Sequence, residues 1–339
     1  MAKSRIFESF SLKGVTFKNR IAMAPMCQYS AGNDGLVNDW HFIHYAARAI
    51  GQAGLIIVEA TAVESRGRIS NRDLGIWSDA AIEPFNKLIR QVKKHGCKIG
   101  IQIAHAGRKA TIVDEPIVAP SAIPFNDTLQ VPVELSTSEI DSVIHNFASS
   151  ARRAVAAGVD FIEIHAAHGY LINQFLSPLT NVRKDEFGTD KSLFLKMILE
   201  EVVKSIPDQM PVFIRVSAEE YMEGGNHPED LCRLLEPVKH FIDLVHVSSG
   251  GVIENAAVES YPGYQLHFAD ILRQQLKLPV MAVGMLESPA FAEEALQNNK
   301  ADFIALGREF LRNPFWPLHA ASHLSEDIEW PEQYARAKL

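Results

Sequence analysis

The chain has 339 residues, 47% of them hydrophobic, and its 33 Lys and Arg against 41 Asp and Glu give a formal net charge of −8. This acidic balance argues against nucleic acid or an anionic membrane as the main partner. No apolar run reaches the ~18 residues of a membrane span and no basic start precedes an apolar core, so we expect a cytoplasmic protein. Cys27, Cys97 and Cys232 form no Cys-x-x-Cys pair, which disfavours a disulfide framework, an iron–sulfur cluster or structural zinc.

Elements follow one another in a regular order along the chain. Residues 5–19 alternate apolar and polar side chains around Lys13-Gly14, which predicts a small hairpin. Apolar runs typical of strands come next, at residues 21–25, 54–60, 98–104, 160–165, 211–217, 241–248, 278–283 and 301–306. Helical periodicity lies between them, at residues 39–53, 80–95, 137–157, 192–206, from 228, 265–276 and 288–299. A proline-containing stretch, residues 110–132, predicts a long and functional loop.

The eight apolar runs lack alternation, which is typical of strands buried on both faces of a parallel sheet. Eight such strands separated by helices predict an α/β fold, a (β/α)8 TIM barrel with an N-terminal hairpin cap. We expect residues 1–339 to form a single domain of this kind. A doubly wound open sheet is the competing architecture, but no Gly-x-Gly-x-x-Gly turn follows the first strand.

The end of the fourth strand carries the most distinctive side chains. It reads His165-Ala-Ala-His168-Gly-Tyr170, and the carboxyl ends of barrel strands are where such enzymes hold their chemistry. Two imidazoles can donate hydrogen bonds to an oxygen, and a phenol can donate a proton. A zinc pair is the alternative, but zinc requires a third ligand. Glu163 is predicted to point away from the barrel interior and is therefore a poor candidate for that ligand.

The last strand ends favour an anion. Glycines after strands six to eight let backbone N–H groups approach a ligand closely, and Arg308 adds a bidentate cation. Such loops form the usual phosphate site of barrels, although each glycine could simply make a tight turn. Gln102 and Arg215 lie on buried strands and need partners. The edge of a flat heterocycle would supply them, and a structural ion pair is the alternative for Arg215.

With these residues assembled, the chain resembles the old yellow enzyme family of flavin-dependent ene-reductases, and most of all its thermophilic-like bacterial subgroup. The resemblance covers residues 7–336. Its motifs are Lys18-Asn-Arg20-Ile, Ala24-Pro25-Met26-Cys27, Asp73-Leu-Gly-Ile-Trp77-Ser, Gln102-Ile-Ala-His105-Ala-Gly-Arg108-Lys109, His165-Ala-Ala-His168-Gly-Tyr170-Leu171, Pro262-Gly-Tyr264-Gln and Gly307-Arg308.

The resemblance implies an FMN-containing barrel that takes hydride from NADPH or NADH and reduces activated alkenes. It implies that His165 and His168 hold the substrate oxygen, that Tyr170 delivers the proton, and that Tyr29 contacts the substrate. It also implies that Cys27, read alone as a small buried hydrophobe, tunes the flavin. The implied flavin contacts are Pro25, Met26, Cys27, Ala60, Gln102, Arg215, Ser249, Gly251, Gly284, Gly307 and Arg308.

The C-terminal Tyr334-Ala-Arg336 also matches this subgroup. It implies a homodimer or homotetramer in which Arg336 enters the neighbouring active site, whereas an exposed tail charge is the plain alternative. The loop after Asp185 departs from the family, since it is shorter and lacks an Asn-Arg pair. Two other functions remain open at this point: an FMN-dependent quinone or nitroaromatic reductase, and a non-redox phosphate-binding barrel.

Overall fold

The computed structural model describes residues 4–338. Within that range, no helix combines the length and the apolar character needed to cross a membrane. Eight parallel strands close into a barrel in sequence order, which confirms the predicted (β/α)8 fold. We number them β1 to β8: Ile21–Met23, Leu55–Ala62, Lys98–Ala104, Phe161–Ala166, Val212–Ser217, Leu244–Ser248, Val280–Val283 and Phe303–Leu306.

Helices separate the strands and cover the outside of the barrel. They are α1 to α11: Asp39–Ile50, Ile82–Lys93, Thr137–Ala157, Leu171–Leu176, Glu186–Thr189, Leu193–Lys204, Pro228–Leu235, Leu266–Leu276, Pro289–Gln297, Arg308–Arg312 and Trp316–His323. The sequence predicts the long helices and one short helix in the C-terminal tail, where the structure has two, α10 and α11. It does not predict the short α4 and α5. In α3, the side chains of Ser136 and Glu139 form a reciprocal capping box, which satisfies backbone N–H groups of the first turn.

The predicted hairpin closes the amino-terminal end of the barrel. Its strands Phe10–Leu12 and Val15–Phe17 pair antiparallel. The Phe17 ring lies 5.3 Å from that of Phe303 and 6.0 Å from that of Phe161. Edge-on aromatic contacts of this kind fill the base of the barrel with apolar volume. Ligands therefore have access to the opposite end, where the strands finish.

The orientation predicted for Glu163 is wrong. Ile162 and Ile164 pack in the outer core against the helices, whereas Phe161 packs inside the barrel. Side chains alternate along a strand, so Glu163 shares the inner face with Phe161 and His165. Both faces of this strand are buried and hydropathy alone does not distinguish them. The spacing to His165 does distinguish them, because residues two apart on a strand share a face.

The long loop after β3 is folded back over the barrel mouth. It holds a single turn, Gly107–Lys109, and two short paired strands, Val118–Ala119 and Val133–Glu134. The buried guanidinium of Arg108 donates to the Pro124 carbonyl at 3.1 Å and to the Val252 carbonyl at 2.6 Å. Arg108 thereby ties this loop to the loop after β6.

Candidate active site

The three predicted catalytic side chains lie together at the end of β4. The ring centroids of His165 and His168 are 5.2 Å apart, and those of His165 and Tyr170 are 4.9 Å apart, in both cases edge to face. His165 is buried, and Lys109 Nζ lies 5.2 Å from the Tyr170 ring. The structure therefore brings two imidazoles and a phenol together in one cluster, in which the His165 ring contacts the other two.

Protonation states follow from burial. Burial, and then the positive Arg215, hold the pKa of both His165 and His168 well below the usual range, so both rings are neutral at pH 7. His165 Nδ1 accepts the Ala167 backbone N–H at 3.3 Å. Its proton is then on Nε2, which is free to donate. Burial also raises the pKa of Tyr170, so the phenol keeps its proton.

His168 depends on a partner for its tautomer. Its Nε2 lies 2.8 Å from Ser248 Oγ. A neutral imidazole donates from one nitrogen only. His168 can therefore donate from Nδ1 to a substrate oxygen when the Ser248 hydroxyl donates to Nε2. Ser248 was not among the predicted site residues, although it is the last residue of β6.

Lys109 fixes the backbone around this cluster. Its Nζ donates to the His168 carbonyl at 2.9 Å and to the Gly251 carbonyl at 3.0 Å. A Cβ added to Gly169 (φ +70°) would lie 2.2 Å from the Gly251 oxygen. The two loops are thus in backbone contact, which only glycine permits here. In the sequence, Lys109 was noted only as the last residue of a family motif.

A cavity of about 150 Å³ lies at the ends of β5 to β8. Arg215, Ser248, Gly284, Gly307 and Arg308 are among its lining residues. Four of these five are predicted flavin contacts. Ser248 also contacts His168, so the cavity and the histidine cluster are parts of one site.

The cavity has the donors that a phosphate and a heterocycle require. Arg215 Nε has no hydrogen-bond partner among residues 4–338, and its side chain is buried. Within residues 4–338, Arg308 also makes no ion pair with a carboxylate. Gly284 has a φ of +124°, and a Cβ there would lie 2.9 Å from Gln265 Nε2. These donors therefore fit the phosphate and the polar ring edge of FMN.

The remaining predicted contacts do not line this cavity. Pro25 is buried, Met26 and Cys27 are half-buried, and Tyr29 is exposed after β1. Ala60 is buried within β2, and burial raises the pKa of the Cys27 thiol. The other three predicted contacts are each placed by a neighbour: the Gln102 amide against Glu163, the Ser249 hydroxyl against Gln265, and Gly251 against His168.

Glu59 supports the segment after β1, a role that was not predicted from the sequence. Its Oε2 accepts the Gln28 backbone N–H at 2.7 Å, and its Oε1 accepts the Tyr45 hydroxyl at 3.1 Å. The register between β2 and β3 shifts between Val58 and Thr61. This irregularity accompanies the turn of Glu59 toward α1. A carboxylate inside an otherwise apolar run was the available signal.

Glu59 also makes stability depend on pH. Burial raises its pKa from 4.5 to about 7, against the opposing hydrogen bonds from Gln28 and Tyr45. Because the folded state binds the Glu59 proton more tightly than the unfolded state, this proton stabilises the fold. The stabilisation is fully present below pH 4.5 and is lost as the pH rises through about 7. We expect the free energy of unfolding, wild type minus Glu59→Gln, to fall by at most about 3 kcal/mol over this interval. Urea unfolding at fixed FMN concentration measures it, and a difference that is constant with pH contradicts it.

Two features lie outside the site. Arg336 is exposed on the turn Glu332–Ala337, where the Tyr334 ring packs 5.7 Å from that of Phe315. It does not line the cavity. A larger groove of about 490 Å³ lies between α1 and α2 on the outside of the barrel, away from the strand ends.

Comparison with known proteins decides the class of this site. Residues 5–327 match the model of the "NADH:flavin oxidoreductase / NADH oxidase family". The chain belongs to this family. An NADPH dehydrogenase of Clostridium acetobutylicum is 47% identical over 337 residues, covering 98% of this chain and 99% of that protein.

Solved structures agree with the family assignment. Morphinone reductase is 26% identical with a TM-score of 0.82, over 96% of this chain and 91% of that one. The old yellow enzyme homologue from Zymomonas mobilis is 27% identical with a TM-score of 0.80, over 96% and 94%. The predicted class, a flavin-dependent NAD(P)H oxidoreductase with FMN as cofactor, is confirmed. The non-redox phosphate-binding barrel is thereby set aside.

Proposed function

We propose that this protein is an NADPH dehydrogenase that reduces the C=C bond of α,β-unsaturated aldehydes, ketones, maleimides or nitro compounds. One observation carries the proposal. The cavity with Arg215 and Arg308 adjoins His165, His168 and Tyr170 through the Ser248–His168 contact. One site thus contains arginines that can bind an anion, imidazoles that can donate hydrogen bonds to a substrate oxygen, and a protonated phenol.

The FMN contacts are part of this proposal. Arg308 and the backbone of Gly284 and Gly307 would hold the phosphate, and Arg215 with Gln102 would hold the polar edge of the ring. Pro25, Met26, Cys27, Ala60, Ser249 and Gly251 would complete the flavin site. When bound, FMN would supply the redox chemistry, the relay of hydride from NADPH or NADH to the alkene β-carbon.

The side chains then act on the substrate. His165 donates from Nε2, and His168 from Nδ1, to the carbonyl or nitro oxygen. These bonds polarise the alkene and stabilise the negative charge that develops on that oxygen. Tyr170 gives its hydroxyl proton to the α-carbon, which completes addition of H2 across the double bond. Lys109 keeps the loops after β4 and β6 in place, and Tyr29 contacts the substrate.

A phenol titration tests the site directly. A phenolate placed above the flavin and held by His165 and His168 should give a long-wavelength charge-transfer band. We expect that band in the wild type and its loss in His165→Ala. A flavin spectrum that a phenol leaves unchanged would contradict the proposed oxygen pocket.

Cys27 provides a prediction of its own. We expect Cys27→Ala to bind FMN as the wild type does and to change the flavin midpoint potential, because a polarizable thiol at the ring edge is removed. Spectroelectrochemical titration of both proteins measures this. Equal potentials would show that Cys27 is only a packing residue.

Arg336 is proposed to complete the active site of a neighbouring subunit in a homodimer or homotetramer. Its exposure on the C-terminal turn supports a role between chains. We expect Arg336→Ala to raise KM for enones several-fold with unchanged FMN content. Light scattering gives the assembly, and a monomer with unchanged KM in the variant would contradict the proposal.

A further inference from the structure

A chain of polar side chains crosses the barrel interior one layer below the candidate site. Gln102, Glu163 and His246, from β3, β4 and β6, are each at most 1% exposed. Gln102 Nε2 donates to Glu163 Oε1 at 2.8 Å. His246 Nδ1 lies 2.9 Å from Glu163 Oε2. Both carboxylate oxygens are engaged, so turning inward does not make Glu163 a ligand for the histidine pair above it.

The carboxylate sets the orientation of its neighbours. An ionised carboxylate only accepts hydrogen bonds. Gln102 must therefore present its NH2 group to Glu163, which leaves its carbonyl oxygen for a donor on the other side. His246 must carry its proton on Nδ1. One residue thus decides both the amide orientation of Gln102 and the tautomer of His246.

The amide orientation decides what Gln102 can recognise. The pyrimidine edge of a flavin offers an imide N–H between two carbonyl oxygens. In this orientation the Gln102 amide oxygen can accept from the imide N–H, and its second N–H can donate to one of the two carbonyl oxygens. If the amide were reversed, its NH2 group would face the imide N–H, and two donors would meet without a hydrogen bond.

Charge gives a second link to the same ring. Arg215 is adjacent to His246 in the β5–β6 register and is buried. Burial lowers the pKa of its guanidinium, and among the charged groups around it Glu163 opposes that shift most. The Glu163 charge therefore offsets part of the Arg215 field inside the barrel.

We propose that Glu163 is a positioning residue of the flavin site: it orients Gln102 toward the pyrimidine edge and lowers the flavin midpoint potential by offsetting the charge of Arg215. This inference rests on the proposed function, since it requires FMN above Arg215. A purely structural Glu163 would change stability and leave the potential unchanged.

Glu163→Gln separates charge from orientation. The glutamine keeps the volume, and its oxygen still accepts from Gln102, while its NH2 group donates to Nδ1 of the other His246 tautomer. We expect FMN to bind, and the reduced flavin to be favoured at least tenfold relative to wild type. For a two-electron couple this is a rise of about 30 mV or more. Glu163→Ala, which also frees Gln102, should in addition weaken FMN binding at least tenfold.

Asp302→Asn is the matched control. Asp302 is a buried carboxylate paired with Arg273 at the opposite end of the barrel, before β8. Its loss should leave the potential unchanged. A colourless wild type that does not bind FMN would refute the proposed function. If the Glu163→Gln holoenzyme has the wild-type potential, or one that shifts no further than that of Asp302→Asn, the inference is wrong but the proposed function stands.

A wild-type measurement keeps the inference testable if Glu163 variants do not fold. Nitrogen-15 NMR of the holoenzyme distinguishes the two tautomers of a buried imidazole. We expect His246 to be neutral with the proton on Nδ1. A proton on Nε2 alone would mean that Glu163 does not accept from His246, and the inference would fail.

Discussion

Tyr170→Phe should slow oxidation of the reduced enzyme by an enone about 10²- to 10⁴-fold, the usual contribution of a positioned general acid. Reduction by NADPH should change only a few-fold, because no proton is delivered to carbon in that half-reaction. The phenol lies 4.9 Å from the His165 ring, centroid to centroid, and burial keeps its proton in place. Anaerobic stopped-flow spectroscopy of the flavin absorbance measures the two steps separately.

An acceptor that needs no proton on carbon is the control for this variant. Ferricyanide should oxidise the reduced Tyr170→Phe protein at the wild-type rate. If enone and ferricyanide rates fell together, or if both half-reactions slowed equally, Tyr170 would have a structural role and the proton would come from elsewhere.

Arg308→Met should weaken FMN binding about 10- to 100-fold, since a hydrogen bond to a charged group contributes about 1.5–3 kcal/mol. Arg308 lines the cavity and is exposed at the start of α10. Its substitution leaves no buried charge unpaired, so the fold should be kept. Fluorescence titration of the apoprotein with FMN, and then with riboflavin, measures the effect.

Riboflavin lacks the phosphate and should bind the wild type and Arg308→Met alike. Arg233→Met is the matched control, because Arg233 is an exposed arginine on α7 that pairs with Asp230. It should bind FMN normally. An equal loss of riboflavin and FMN affinity in Arg308→Met would place the phosphate elsewhere.

Much of this site could be predicted because barrel chemistry follows the strand ends. Polar residues at or near the ends of buried apolar runs indicated His165 and Arg308, a charged residue within such a run indicated Arg215, and the regular spacing of the runs indicated the barrel. The interior layer was harder to predict. Hydropathy does not tell the two faces of β4 apart, and Glu163 was wrongly predicted to point outward. Its even spacing to His165 is the signal that indicates the inner face.

The supporting contacts could not be predicted because they depend on irregular backbone and on distant residues. Glu59 turns toward α1 where the β2–β3 register shifts. The regular alternation of side chains along the strand is interrupted there and does not predict its direction. Ser248 meets His168 across 80 residues of sequence. Lys109 is placed by two backbone carbonyls that carry no side-chain signal. The candidate ligand contacts were visible in motifs, and the residues that support them were not.

Isotope transfer through the complete reaction tests the central claim most directly. The protein is mixed with NADPH carrying deuterium at the transferred position, and with 2-cyclohexenone, in ordinary water and then in D2O with unlabelled NADPH. The account predicts a saturated ketone with the NADPH deuterium on the β-carbon and the solvent deuterium on the α-carbon. Oxidation of NADPH without a saturated ketone, or a label at the opposite carbons, would contradict it.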